Sequence, residues 1–87
     1  MIHSQLRLRK IDNKNFVVAV GKKSVSFKNT VKLNDTAAEI FLLLQKNKSK
    51  EDIARYFEEE YNVSFETALS DINSVISEFE KAGFFND

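Results

Sequence analysis

The chain has 87 residues, of which 43% are apolar and 30% charged, with no Cys, no Pro, no Trp and a single His. That is enough for one core and too little for two, and it excludes disulfides, thiolate metal sites, iron–sulfur ligation and cysteine nucleophiles. The 13 basic and 13 acidic residues cancel, yet residues 1–33 hold eight bases against Asp12 alone, while residues 34–87 hold five bases and twelve acids, so a neutral sum conceals a basic first part and an acidic second.

The N-terminal residues carry no apolar targeting core after their charges. The longest apolar runs, Phe16 to Val20 and Ile40 to Leu44, have five residues each, far short of the roughly 18 needed to cross a bilayer. A soluble, cytoplasmic protein is expected, with His3 on a frayed N-terminus. Up to Leu33 the hydrophobic period is that of strands: Leu6 and Leu8 alternate with Arg7 and Arg9, Phe16 to Val20 is aromatic and β-branched, Val25 and Phe27 alternate with serines, and Val31 and Leu33 flank Lys32. Turn formers separate these runs at Asp12 to Asn15, at Gly21 to Lys23 and at Lys28-Asn29. The pattern predicts strands near 16–20, 24–27 and 30–33, and a weaker fourth near 6–10.

From Asn34 the period becomes helical. Asn34 is placed to cap a first helix over about 35–46, with Ala37, Ile40, Phe41 and Leu44 on one face. Ser49 before Lys50-Glu51-Asp52 opens a second over about 50–60, striped by Ile53, Tyr56 and Phe57 and stopped near Asn62. Ser64 caps a third, whose stripe runs through Phe65, Ala68, Leu69, Ile72, Val75, Ile76 and Phe79. Gly83 then supplies a left-handed stop that lets Phe84 fold back on Phe79. The expected architecture is a single α+β domain, winged helix-turn-helix-like, with a small three-stranded antiparallel sheet followed by three helices.

Three kinds of chemistry compete for such a domain. Glu58-Glu59-Glu60 and the Glu78/Glu80 pair invite a metal or acid/base reading, but neighbouring helical positions point about 100° apart and cannot converge. Gly21 and Gly83 form no phosphate loop, and a lone His closes no coordination sphere. The residues therefore point to a non-enzymatic protein with no cofactor and no metal. A degenerate winged-helix nucleic-acid-binding or transcription-regulatory domain is the alternative. It is disfavoured because no Lys or Arg lies between Phe65 and Glu80, whereas Glu66, Asp71, Glu78 and Glu80 would face phosphates. Peptide capture by an edge strand fits better: Thr30, Val31, Lys32 and Leu33 lead directly into the first helix, and the third helix can form the second wall of a groove. Leu69, Ile72 and Ile76 would then pocket alternate side chains, unless they are simply core, and Lys32 would otherwise serve to blunt the edge. The same edge admits pairing with a second copy, giving a weak homodimer.

Val31-Lys-Leu-Asn-Asp-Thr-Ala-Ala-Glu-Ile40 resembles the LN-x-[TS]-A signature joining the last strand to the first helix in PqqD-like proteins. This is the family of the pyrroloquinoline quinone biosynthesis chaperone and of the recognition element for precursors of ribosomally synthesised, modified peptides. The likeness continues through Ser49 to Ile53, Tyr61 to Val63, Asp71-Ile72 and Gly83 to Phe85, over about residues 16–85. It implies a non-catalytic chaperone that binds the leader segment of a precursor peptide as an added strand and presents the rest to a modifying enzyme. That enzyme would be of the radical S-adenosylmethionine type in the quinone pathway, and lasso-peptide and sactipeptide pathways use similar modules. Mapped onto this sequence, the resemblance implies peptide contacts at Thr30, Val31, Lys32 and Leu33, with Phe27 ahead of the strand, and at Leu69, Ile72, Asn73 and Ile76. The acidic third helix asks for a leader with basic residues, or one whose acids meet Lys28 and Lys32.

Overall fold

A computed structural model describes residues 2–21 and 30–85. The first strand, β1 (Leu6–Ile11), turns through Asp12 and Asn13 into β2 (Lys14–Ala19). Both turn residues have positive φ, 52° and 64°, as a two-residue hairpin matched to the strand twist requires, and Asp and Asn are among the few side chains that tolerate it. The hairpin therefore closes on Ile11↔Lys14. Lys14 and Asn15, expected in the turn, belong to the strand, and the weakly marked segment at 6–10 is a full partner in the sheet. The strand expected at 24–27 lies outside the described residues.

β3 (Val31–Leu33) pairs antiparallel with β2 through Val17↔Val31, Phe16↔Lys32 and Asn15↔Leu33, giving the order β1-β2-β3. Alternation sends Leu6, Leu8, Val17, Val31 and Leu33 to the helix side, and Arg7, Arg9, Phe16 and Lys32 to the other. Asn15, opposite Leu33, is buried, and its Nδ2 donates to Asp35 Oδ1 at 2.8 Å and to the Leu33 carbonyl at 3.4 Å. A residue with turn-forming chemistry thus ties the middle strand to the corner where the sheet becomes helix.

The three helices follow with their caps in place. Asn34 accepts from the Ala37 amide at 2.8 Å and opens α1 (Asp35–Gln45). Ser49 accepts from Asp52 at 3.1 Å and opens α2 (Lys50–Tyr61), which stops at left-handed Asn62. Ser64 accepts from Thr67 at 3.1 Å and opens α3 (Phe65–Lys81). Gly83 at φ 80° ends α3: its amide donates to the Glu80 carbonyl and that of Phe84 to the Phe79 carbonyl, the paired bonds of a Schellman ending. The turn brings the Phe84 ring to 5.0 Å from Phe79, and Phe41 meets both edge-on at 5.6 and 6.0 Å. These rings form the core centre with Ile40, Ile72 and Val17.

The N-terminus is not frayed. Ile2 is buried and forms an antiparallel bridge with Phe85, and the His3 amide donates to the Phe84 carbonyl at 2.7 Å. His3 Nδ1 accepts from the Gln5 amide at 3.1 Å. Both ends of the described chain close over one side of the core. No described helix is long and apolar enough to cross a membrane.

Candidate binding groove

Among the described residues β3 has a neighbour on one side only. Its other edge opens on a groove of about 510 Å³ whose far wall is the C-terminal half of α3. Val31, Lys32, Leu33 and Asn34 form the near wall, Ala37 and Phe84 lie between, and Val75, Glu78, Phe79, Lys81 and Ala82 complete the far side. Leu33, Ala37, Phe79 and Phe84 are buried, whereas Val31, Val75 and Ala82 are half-buried. The interior is apolar, and charge is confined to the rim, where Lys32 stands on one side and an exposed Glu78–Lys81 pair at 3.9 Å on the other. In an antiparallel ladder alternate residues turn both backbone groups to the same side, so either Lys32 alone or Val31 with Leu33 directs an N–H and a C=O away from β2. An unpaired strand edge beside an apolar trough is a template for one further strand, which would sit about 4.8 Å from β3 with alternate side chains turned inward.

The sequence-derived contact positions separate into groups. Val31, Lys32 and Leu33 line the groove, and Thr30 is exposed just before them. Phe27 lies outside the described residues. On α3, Ile76 is half-buried against the core, Ile72 is wholly inside it, and Leu69 and Asn73 line a separate open hollow with Ser70 and Ser77. The helical wall of the groove is Val75, Phe79 and Ala82, spaced i, i+4, i+7 on α3. Val75 and Phe79 belong to the periodic stripe visible in the sequence. The stripe says which residues face inward; how far along the helix the strand edge lies depends on where α2 covers α3 and where the sheet takes over.

The site contains little for chemistry beyond binding. Among the described residues no three acidic or imidazole groups converge as a metal site would need, and α3 presents Glu66, Asp71, Glu78 and Glu80 on exposed positions with Lys81 its one cation.

The sequence profile of the family described as Coenzyme PQQ synthesis protein D (PqqD) matches residues 16–84. The chain belongs to the PqqD family. No curated protein matches it significantly. Two solved structures share the PqqD-like fold closely. "Lasso peptide synthetase B1 complexed with the leader peptide" is 24% identical with a TM-score of 0.76, over 95% of this chain and 92% of that one. "TbiB1 in Complex with the TbiA(beta) Leader Peptide" is 18% identical with a TM-score of 0.78, over 99% and 98%. The family match begins at Phe16, in β2, whereas the structural likeness takes in nearly the whole chain, including β1 and its share of the core.

Proposed function

We propose that this PqqD-family chain is a non-catalytic, cytoplasmic peptide chaperone that binds the leader segment of a ribosomally synthesised precursor as a fourth strand and presents the remainder to a modifying enzyme. The observation that carries the reading is the edge of β3 that has no neighbour among the described residues and faces an apolar groove, in a fold shared with two proteins solved with leader peptides. The leader lies along Thr30, Val31, Lys32 and Leu33, with Phe27 ahead of the strand, and turns its inward side chains onto Val75, Phe79 and Ala82. Ile76 supports that wall from the adjoining position. Leu69 and Asn73 come into play where a leader extends toward the start of α3, and Ile72 acts from within the core. The rim favours a leader with an acidic group opposite Lys32 and a basic one opposite Glu78. The recipient enzyme is a radical S-adenosylmethionine enzyme or a lasso-type synthetase component.

The test is a titration of the isotopically labelled chain with a synthetic leader from the precursor encoded beside its gene, following backbone amide shifts. Saturable changes concentrated in residues 30–33 and 75–82 are expected. Changes centred elsewhere, or none, would overturn the placement.

A further inference from the structure

A second surface lies on the other side of α1. Helical geometry at about 100° per residue puts Asp35, Glu39 and Leu42 within about 60° of one another and Ala37 roughly 140–160° away. Ala37 lines the leader groove, whereas Asp35 and Glu39 form the shared wall of two other hollows, of about 310 and 390 Å³. Among the described residues, four of the five exposed large apolar or aromatic side chains gather here: Leu42 (43% exposed) lines the larger hollow, Tyr61 (55%) and Val63 (37%) line the smaller, and Tyr56 (37%) reaches Glu39 from a neighbouring hollow that it shares with Lys48. A soluble domain of this size has no packing reason to gather them in one place.

Their arrangement is ordered by a single carboxylate. Tyr56 donates its hydroxyl to Glu39 Oε2 at 2.6 Å and Tyr61 donates to Oε1 at 2.5 Å, with the two rings edge-on at 6.5 Å. Both phenols are held by this one carboxylate, so little freedom remains to be lost on contact. Asp71 joins Asp35 and Glu39 around the smaller hollow, which no described Lys or Arg lines, while Lys10 borders the larger one. Tyrosines set among apolar side chains, with acidic groups between them, complement a cation flanked by apolar groups.

We infer that this face docks the enzyme to which the leader is delivered, through a segment of that enzyme that sets an arginine or lysine between apolar side chains. The inference rests on the leader-binding reading for the identity of the partner. Because α1 separates the two surfaces, leader and enzyme occupy the domain together.

The test uses the purified chain, the purified enzyme that modifies the same precursor, and the leader peptide, with both affinities measured by calorimetry on each variant. Glu39→Lys is expected to weaken enzyme binding about tenfold, as reversal of a central interface charge does. Tyr61→Ser, at a side chain more than half exposed, is expected to weaken it at least about threefold, while both variants, checked as folded by circular dichroism, bind leader within about twofold of the wild type. Wild-type affinity for the enzyme should also fall as NaCl is raised from about 50 to about 300 mM. Unchanged enzyme affinity in folded Tyr61→Ser and Glu39→Lys, no affinity in the wild type, or competition between enzyme and leader would overturn the docking face. Loss of leader binding by the wild type would overturn the leader reading instead.

Discussion

Glu39 shows how one side chain imprints its neighbours. The hydrogen bond that Tyr56 donates to it, with partial desolvation and the nearby negative charges of Glu39 and Glu60, pushes the Tyr56 phenol up to about 12, and Tyr61 is raised for the same first reason. A raised phenol means that the folded chain holds the proton more tightly than the unfolded one. The contribution is complete below the unfolded value near 10 and is lost as the pH climbs toward 12. Absorbance titration should therefore find Tyr56 ionising near 12 in the wild type and lower, toward the ordinary phenol value, in Glu39→Gln. Gly83 is a second residue with a separable role. Its φ of 80° is left-handed, and an added Cβ would meet nothing within 4 Å. Gly83→Ala should thus cost only backbone strain, about 1–2 kcal/mol by denaturant unfolding, without altering the Phe79–Phe84 packing or the groove.

At the scale of elements, β3 has two edges with different roles in the proposed binding mode. One pairs with β2 over three residues, and the other, which has no neighbour among the described residues, would take the leader. Antiparallel geometry makes the two roles separable residue by residue, and proline removes a ladder donor wherever it is placed. Of Val31→Pro and Lys32→Pro, one should unfold at lower denaturant through loss of a β2 bond. The other should keep near wild-type stability and lose leader affinity. Circular dichroism melts and calorimetry on the pair decide it, and leader binding unchanged in both folded variants would exclude strand addition. α3 divides its work along its length: its first half packs with α2, and its second half walls the groove. The caps and the hydrophobic stripe of each helix could be read from local spacing, which is why Asn34, Ser49 and Ser64 stand where the sequence puts them. The position of the groove along α3 could not, because it depends on the edge of a sheet more than thirty residues away in the chain.

For the whole molecule the division of charge becomes a division of space. The outer sheet face carries Arg7, Arg9 and Lys32 around Phe16, while the exposed side of the helical layer is acidic. A leader bound as proposed would lie along the boundary between them, so its own charge pattern would select its direction, within the roughly 8 to 10 Å over which ordinary salt leaves such fields appreciable. Ile2 and Phe85 meet on the same core, so the domain depends on residues before β1 as well as on those after α3. Ile2→Ala should cost about 2–5 kcal/mol by denaturant unfolding, since the side chain is 4% exposed and its backbone bridges Phe85. A loss below about 0.5 kcal/mol would mean that this end is free in solution.

What the sequence determined by itself was that strands come first and three helices follow, where those helices begin and end, and a composition that leaves recognition as the chain's business. Those depend on caps, turn residues and periodicity within a few positions of one another, and the PqqD-like signature at Val31 to Ile40 rests on the same local chemistry. Only the tertiary structure decided that residues 6–11 complete the sheet, that Asn15 is a buried strut and not a turn residue, that the groove faces Val75, Phe79 and Ala82, and that Glu39 gathers Tyr56 and Tyr61. The last three join residues 17 or more apart, the first rests on a hairpin register that pairs Leu6 with Ala19, and such pairings are settled by register and by which faces remain to be buried once the local pieces have formed.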